Sequence, residues 1–278
     1  MIRFVGRGQL AAMLAVLTAA TVGCSTDDVM VDLEVYPYDG GEDPAFDVFD
    51  RFVGFQGLAV YGADGVSDEA MLHAIHVLAG YLDSDEDGEM DSQAVFDELW
   101  RRSAAMVIFA TEDDPLADEF FDAGFPADRS IQDLYGDEIH PGGAAVGEFD
   151  ATLEEVLHLI TSGGYAQVFP TYFGEEPGTA LAEAMDGCIA DGYYDPLVND
   201  PDMPYAHQVS EFHYWALTSI LGAQSFEGRP DEIADEWSLY NGELVAEFAP
   251  EAYSLLTDPQ WGFADGIPDG SYEPPPPS

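Results

Sequence analysis

With 278 residues, 47% of them hydrophobic and 13% aromatic, the chain has material for one large hydrophobic core or two small ones. It sets 55 Asp and Glu against seven Arg and no Lys, a formal net charge of −48, so nucleic acid and anionic membrane surfaces are excluded as partners by repulsion. The acids are spread along the chain and not gathered in a tail, which is the pattern of a hydrated shell.

Residues 1–23 hold Arg3 and Arg7, no acid, and an apolar run over 10–22, the make-up of an export signal. The ending Thr21-Val22-Gly23-Cys24 resembles a bacterial lipobox. Cys24 is therefore expected to carry a lipid, giving an exported protein anchored to the cell envelope or surface that touches the membrane through that lipid alone; a plain secretory signal or an uncleaved anchor are the alternatives. Residues 24–48 are acidic, carry Pro37, Gly40, Gly41 and Pro44, and read as a tether. No later stretch is long and apolar enough to span a bilayer. With Cys24 lipidated, Cys188 has no partner and the fold must hold without an intrachain disulfide.

A single domain is expected over 49–262, since no internal repeat or low-complexity spacer interrupts it. Residues 52–61 read as one strand. Ser67 caps a helix with the apolar stripe Met71, Leu72, Ile75, Leu78, Ala79 and Leu82. A second helix over 94–101 leads to a buried strand over 105–110. Asp150 or Thr152 can cap a helix through 154–158 that Gly163-Gly164 would end. Further helices are expected at 180–190, at 205–221 behind Pro204, and at 243–256 with a break at Pro250. Residues 263–278, with Pro274 to Pro277 in a row, read as a disordered tail. Many helices and few strands point to a mainly helical α+β domain with a small sheet.

Between the first two helices, Asp83, Asp85, Asp87 and Asp91 stand at positions one, three, five and nine of an EF-hand-like loop, with Gly88 at the sixth. Calcium is the expected ion, Glu89 lending its backbone carbonyl. Position twelve is Ala94 where a bidentate Glu belongs, and Asp97 or Glu98 on the next turn would have to substitute. A solvated acidic loop is the plain alternative. The role expected of a bound ion is to staple two helices together.

Glu154-Glu155-Val156-Leu157-His158 has the spacing of the HExxH zinc-peptidase helix, with Glu154 where the first histidine ligand stands. In that arrangement the first and fifth residues bind the metal and the second acts as general base. Glu154, Glu155 and His158 can share one broad helix face, and a third ligand must come from elsewhere. Glu211 is the best candidate, and His207, four residues earlier on the same helix, could complete the site. The order of these pieces, followed by Tyr205, Glu211-Phe212 and the closing stretch from Phe248 to Tyr253, resembles the anthrax-lethal-factor-like group of zincin metallopeptidases over 150–256. The resemblance implies a zincin-like fold, zinc or another divalent metal on His158 and Glu211, Glu155 as general base, Tyr205 as oxyanion stabiliser, and a peptide or protein substrate. Two carboxylates in the shell would acidify a bound water less than one, or favour a harder cation. The same Glu-x-x-x-His spacing also describes an ordinary pair one helical turn apart.

Other residues carry less. His73 and His76 could ligate but flank an apolar stripe and are expected as surface or helix-edge histidines, His140 lies in a loop where it could serve as a substrate-side or ligand residue, and His213 with Phe212, Tyr214 and Trp215 reads as core. Cys188 lies among apolar residues without a basic neighbour. Serine-nucleophile elbows, P-loops, dinucleotide fingerprints and a second Glu-x-x-His for a diiron site are missing from the sequence. Two functions are thus expected: metal-dependent peptide hydrolysis, or a non-catalytic, calcium-stabilised binding or scaffold protein at the cell surface.

Overall fold

The computed structural model describes residues 33–41, 43–126 and 128–275; the expected export signal and Cys24 lie outside the described residues. Strands β1 (Tyr36–Pro37), β2 (Phe49–Phe55), β3 (Leu58–Ala63), β4 (Ala105–Phe109) and β5 (Ile131–Tyr135) form one sheet in that order. The first three are antiparallel neighbours, while β3, β4 and β5 run parallel. Parallel neighbours need long crossovers. These are α1 (Asp68–Leu82) with α2 (Gln93–Arg101), and then α3 (Pro115–Ala123). After β5 the chain is helical: α4 (Gly143–Val146), α5 (Ala151–Ile160), α6 (Ala166–Val168), α7 (Pro170–Phe173), α8 (Ala180–Asp191), α9 (Tyr205–Leu221), α10 (Arg229–Glu232), α11 (Gly242–Phe248) and α12 (Pro250–Leu256). The domain is thus mixed α+β, helix outweighing strand, as expected. Among the described residues no helix is long and apolar enough to cross a membrane.

Alternation along the strands divides two cores. Val53, Phe55, Leu58, Val60, Met106 and Ile108 face the main core built by α1, α5 and α9. Phe49, Ala63, Val107 and Phe109 face a smaller aromatic cluster with Phe46 and Phe120. The single strand expected over 52–61 is instead the β2–β3 hairpin. Gln56 (φ 51°) and Gly57 (φ 93°) both adopt left-handed backbone, the two-residue turn whose twist suits antiparallel strands. Ser67 does cap α1, accepting from the Ala70 amide. The α3 helix has a legible start that the sequence reading passes over, Asp114 as cap and Pro115 in the first turn.

Both expected unstructured flanks are folded where described. Residues Pro44–Val48 form a 3-10 helix capped by Asp43, and Phe46 is buried edge-on to Tyr61 (4.8 Å) and Phe120 (5.2 Å), so the domain begins before residue 49. At the other end, residues 263–275 form a strap across α1 and not a disordered tail. Phe263 stacks on Tyr165 at 4.2 Å, and the Tyr272 carbonyl accepts from His76 Nδ1 at 2.7 Å. Gly270 lies so close over His73 that a Cβ there would sit 2.2 Å from its Nδ1. Proline-rich composition forbids helix here, but an extended segment can still bury widely spaced anchors.

Gly163-Gly164 does not end α5. The chain passes through a π-helical segment, Thr161–Tyr165, into α6. The glycines admit α2 instead: a Cβ on Gly164 would lie 2.6 Å from Val95 Cγ1.

Candidate metal centre

Asp150 starts α5. Its side chain accepts from the Thr152 amide (3.1 Å) and the His140 amide (3.2 Å), and its other oxygen accepts from His73 Nε2 at 2.7 Å. Burial alone would raise this carboxyl, but the His73 contact and the amide donors hold it below the usual carboxylate range. His73 is therefore buried and paired, not a surface histidine. From this anchored end α5 carries His158 to the face of α9, where Ser210 and Glu211 meet it.

One nitrogen of the imidazole is hydrogen-bonded and the other is not. Nδ1 is 2.8 Å from Ser210 Oγ. Nε2 is buried without a hydrogen-bond partner, 3.4 Å from Glu211 Oε1 and 3.9 Å from Glu154 Oε1. Those separations exceed the 2.7–3.2 Å of a hydrogen bond. They approach the ligand-to-ligand edge of about 3.4 Å that bonds of about 2.1 Å to a tetrahedral ion impose. Ligand atoms of Glu154, His158 and Glu211 all lie within 4.8 Å of one another. Burial opposes a charge on His158, yet the two carboxylates outweigh it and hold the imidazole well above its ordinary range. Glu154, His158 and Glu211 are thus grouped so that they could hold a metal ion.

The other expected site residues divide. Glu155, one residue along α5, accepts from Gln132 Nε2 of β5 at 2.6 Å. Burial pushes its carboxyl up to about 8, with Glu154 and Asp133 adding to the rise and His158 and Gln132 opposing it. His207 is exposed and outside the cluster, because one helical turn from Glu211 moves it about 6 Å along α9. Tyr205 gives its hydroxyl to Asp186 Oδ1 of α8 at 3.0 Å, not to the cluster. Sequence reasoning misses Ser210, Gln132 and two buried phenols. Tyr194 donates to the Gln208 carbonyl at 3.1 Å; burial and then Glu211, Glu236 and Glu154 push its pKa up. Tyr214 sits 6.0 Å from the His158 ring. Serines and tyrosines are too common for spacing to mark them.

Three of the four acids expected to bind calcium through their side chains come together: ligand atoms of Asp83, Asp85 and Asp87 lie within 4.8 Å of one another. Asp83 is fully buried, its oxygens accepting from the Asp87 and Gly88 amides at 3.1 and 3.0 Å and from the Tyr272 hydroxyl at 2.7 Å. Asp91 instead accepts from the amide and hydroxyl of Ser84 (2.8 and 2.6 Å), and the Glu89 amide donates to Asp87 Oδ1 at 2.8 Å. The stand-ins for position twelve are engaged elsewhere, Asp97 with Gln93 and Glu98 with Arg101 and Arg102.

His213 stacks on Phe173 in the core, where burial, then His158, lower its pKa to about 3. Cys188 is buried, its thiol pushed up to about 12 first by that burial and then by Asp191 and Glu251, which leaves it a packing residue. His140 is exposed and contributes its backbone amide to Asp150. Comparison with family models, curated proteins and solved structures finds no match to this chain.

Proposed function

We propose that the chain is an exported, zincin-like lipoprotein that binds a divalent metal through Glu154, His158 and Glu211, with metal-dependent peptide hydrolysis as the chemistry this site serves. One observation carries the reading: the unpartnered, buried Nε2 of His158 faces carboxylates from two helices, Glu211 lying more than fifty residues further along the chain. Zinc or another divalent ion in this shell would supply Lewis acidity toward a peptide carbonyl and an acidified water. The residues around it divide the remaining work. Glu154 and Glu211 would bring negative charge and His158 the nitrogen, and Glu155 would take or return a proton at its carboxyl oxygen. Tyr205 is left out, since its hydroxyl belongs to Asp186.

A second reading, a non-catalytic binding or scaffold protein, is favoured by a specific feature. Both carried-over catalytic side chains are already engaged, Glu155 by Gln132 and Tyr205 by Asp186. In either reading Asp83, Asp85 and Asp87 form a calcium loop that joins α1 to α2.

Metal analysis of the purified protein tests both sites together. One transition-type divalent ion is expected in the parent chain and none in His158→Ala or Glu211→Gln, while Asp85→Asn with Asp87→Asn removes calcium only. A parent chain that binds no divalent ion after dialysis against zinc would end the metal reading. Turnover of a broad peptide library, abolished by Glu155→Gln with metal retained, selects hydrolysis; metal without turnover selects binding. For the anchor, mass spectrometry of the membrane-extracted protein should find acyl chains on Cys24, and Cys24→Ser should release the protein in unlipidated form. An unmodified Cys24, or a retained signal, would refute it.

A further inference from the structure

Behind His158 runs a chain of hydroxyls that ends on a carboxylate. Ser210 Oγ lies 2.8 Å from His158 Nδ1 and 3.2 Å from Ser162 Oγ, and Ser162 donates to Glu175 Oε1. Ser162 belongs to the π-helical segment one turn beyond His158, Ser210 to α9 beside Glu211, and Glu175 follows α7. The turn is pinned from outside, Gln167 Nε2 donating to the Ser162 carbonyl (3.0 Å) and Arg102 to Gln167 Oε1 (2.8 Å).

Proton counting gives this chain a direction. A carboxylate only accepts, and each serine has a single proton to give. Ser162 spends its proton on Glu175, so toward Ser210 it can only accept. Ser210 then spends its proton on Ser162, so toward His158 it can only accept. Nδ1 must therefore carry a hydrogen. In the neutral ring that a ligand bond requires, the lone pair is then on Nε2, the atom that faces Glu154 and Glu211.

We infer that Glu175, acting through Ser162 and Ser210, is a positioning residue that fixes the Nδ1–H form of His158 and aims Nε2 into the Glu154–Glu211 pair; this rests on the reading of those three residues as a metal centre. Partners of this kind behind a ligating histidine typically govern metal affinity by about 10–100-fold. Here the carboxylate acts at two removes, so one break anywhere in the chain is expected to free the ring.

The test uses the full-length protein and Zn2+ alone. Titration calorimetry should show Zn2+ binding weakened about 10–100-fold by Glu175→Gln and by Ser210→Ala. Glu175→Asp should recover most of it, and thermal unfolding of the metal-free variants should match the parent. The independent readout is the 15N-labelled His158 ring in the metal-free protein. A slowly exchanging Nδ1–H resonance is expected in the parent and should vanish in Ser210→Ala. Its absence from the parent, or Zn2+ affinities unchanged in both variants, would overturn the inference. A parent that shows the resonance but binds no Zn2+ would sink the metal centre while upholding the steering of the ring.

Discussion

Asp150→Ala should destabilise the protein by about 1–3 kcal/mol, the usual cost of leaving a buried hydrogen-bonding group without its partner. Three donors converge on this carboxylate: His73 Nε2, and the Thr152 and His140 amides. The substitution therefore strands a buried imidazole, uncaps α5 and releases the loop before it. The pH dependence has a definite sign. Asp150 has its folded pKa lowered, so its contribution is complete above the ordinary unfolded carboxylate value of about 3.9 and is lost as pH falls through the folded value. Asp150→Asn keeps the shape and a cap acceptor but cannot ionise, so its stability should fall less steeply in acid than that of the parent. Urea unfolding at neutral pH and again below pH 4 measures both effects. A neutral midpoint for Asp150→Ala equal to the parent's would show that the His73 pair carries no net stability.

The contrast between α5 and its surroundings shows what a one-dimensional reading can reach. Asp150 as cap, the α5 helix and α9 behind Pro204 are local features, written in propensity and period, and they stand where expected. Glu211 is legible only through the resemblance of its helix to a ligand helix, and its carboxylate does lie 3.4 Å from His158 Nε2. His207 illustrates the limit: it shares a helix face with Glu211, but α5 crosses α9 at residues 210 and 211, a position fixed by packing of the main core and invisible to periodicity. Gly163 and Gly164 mislead for a similar reason. Glycine serves as helix terminator and as close-approach residue alike, and only the position of Val95 and Leu99 on α2 decides between them. The hairpin at Gln56-Gly57 hides because its left-handed first residue is Gln, not the Asn or Asp that marks such turns.

The strap is the most consequential departure from composition, and Tyr272 tests it. Tyr272→Ala should cost about 3–5 kcal/mol, the range for removing a large aromatic from a core. Its ring is buried edge-on to Phe55 at 5.5 Å, and its hydroxyl supplies one of the three hydrogen bonds to the buried Asp83 carboxylate. Tyr272→Phe keeps the ring and loses only the bond to a charged acceptor, so about 1.5–3 kcal/mol is expected. The ratio between the two variants separates ring packing from support of Asp83. Because the Tyr272 carbonyl still accepts from His76 in both, neither variant frees the strap by breaking that contact directly. Chemical denaturation of parent, Tyr272→Phe and Tyr272→Ala supplies the numbers. If residues 263–275 were the solvated tail their prolines imply, both substitutions would be silent, and two equal midpoints would remove the strap from the fold.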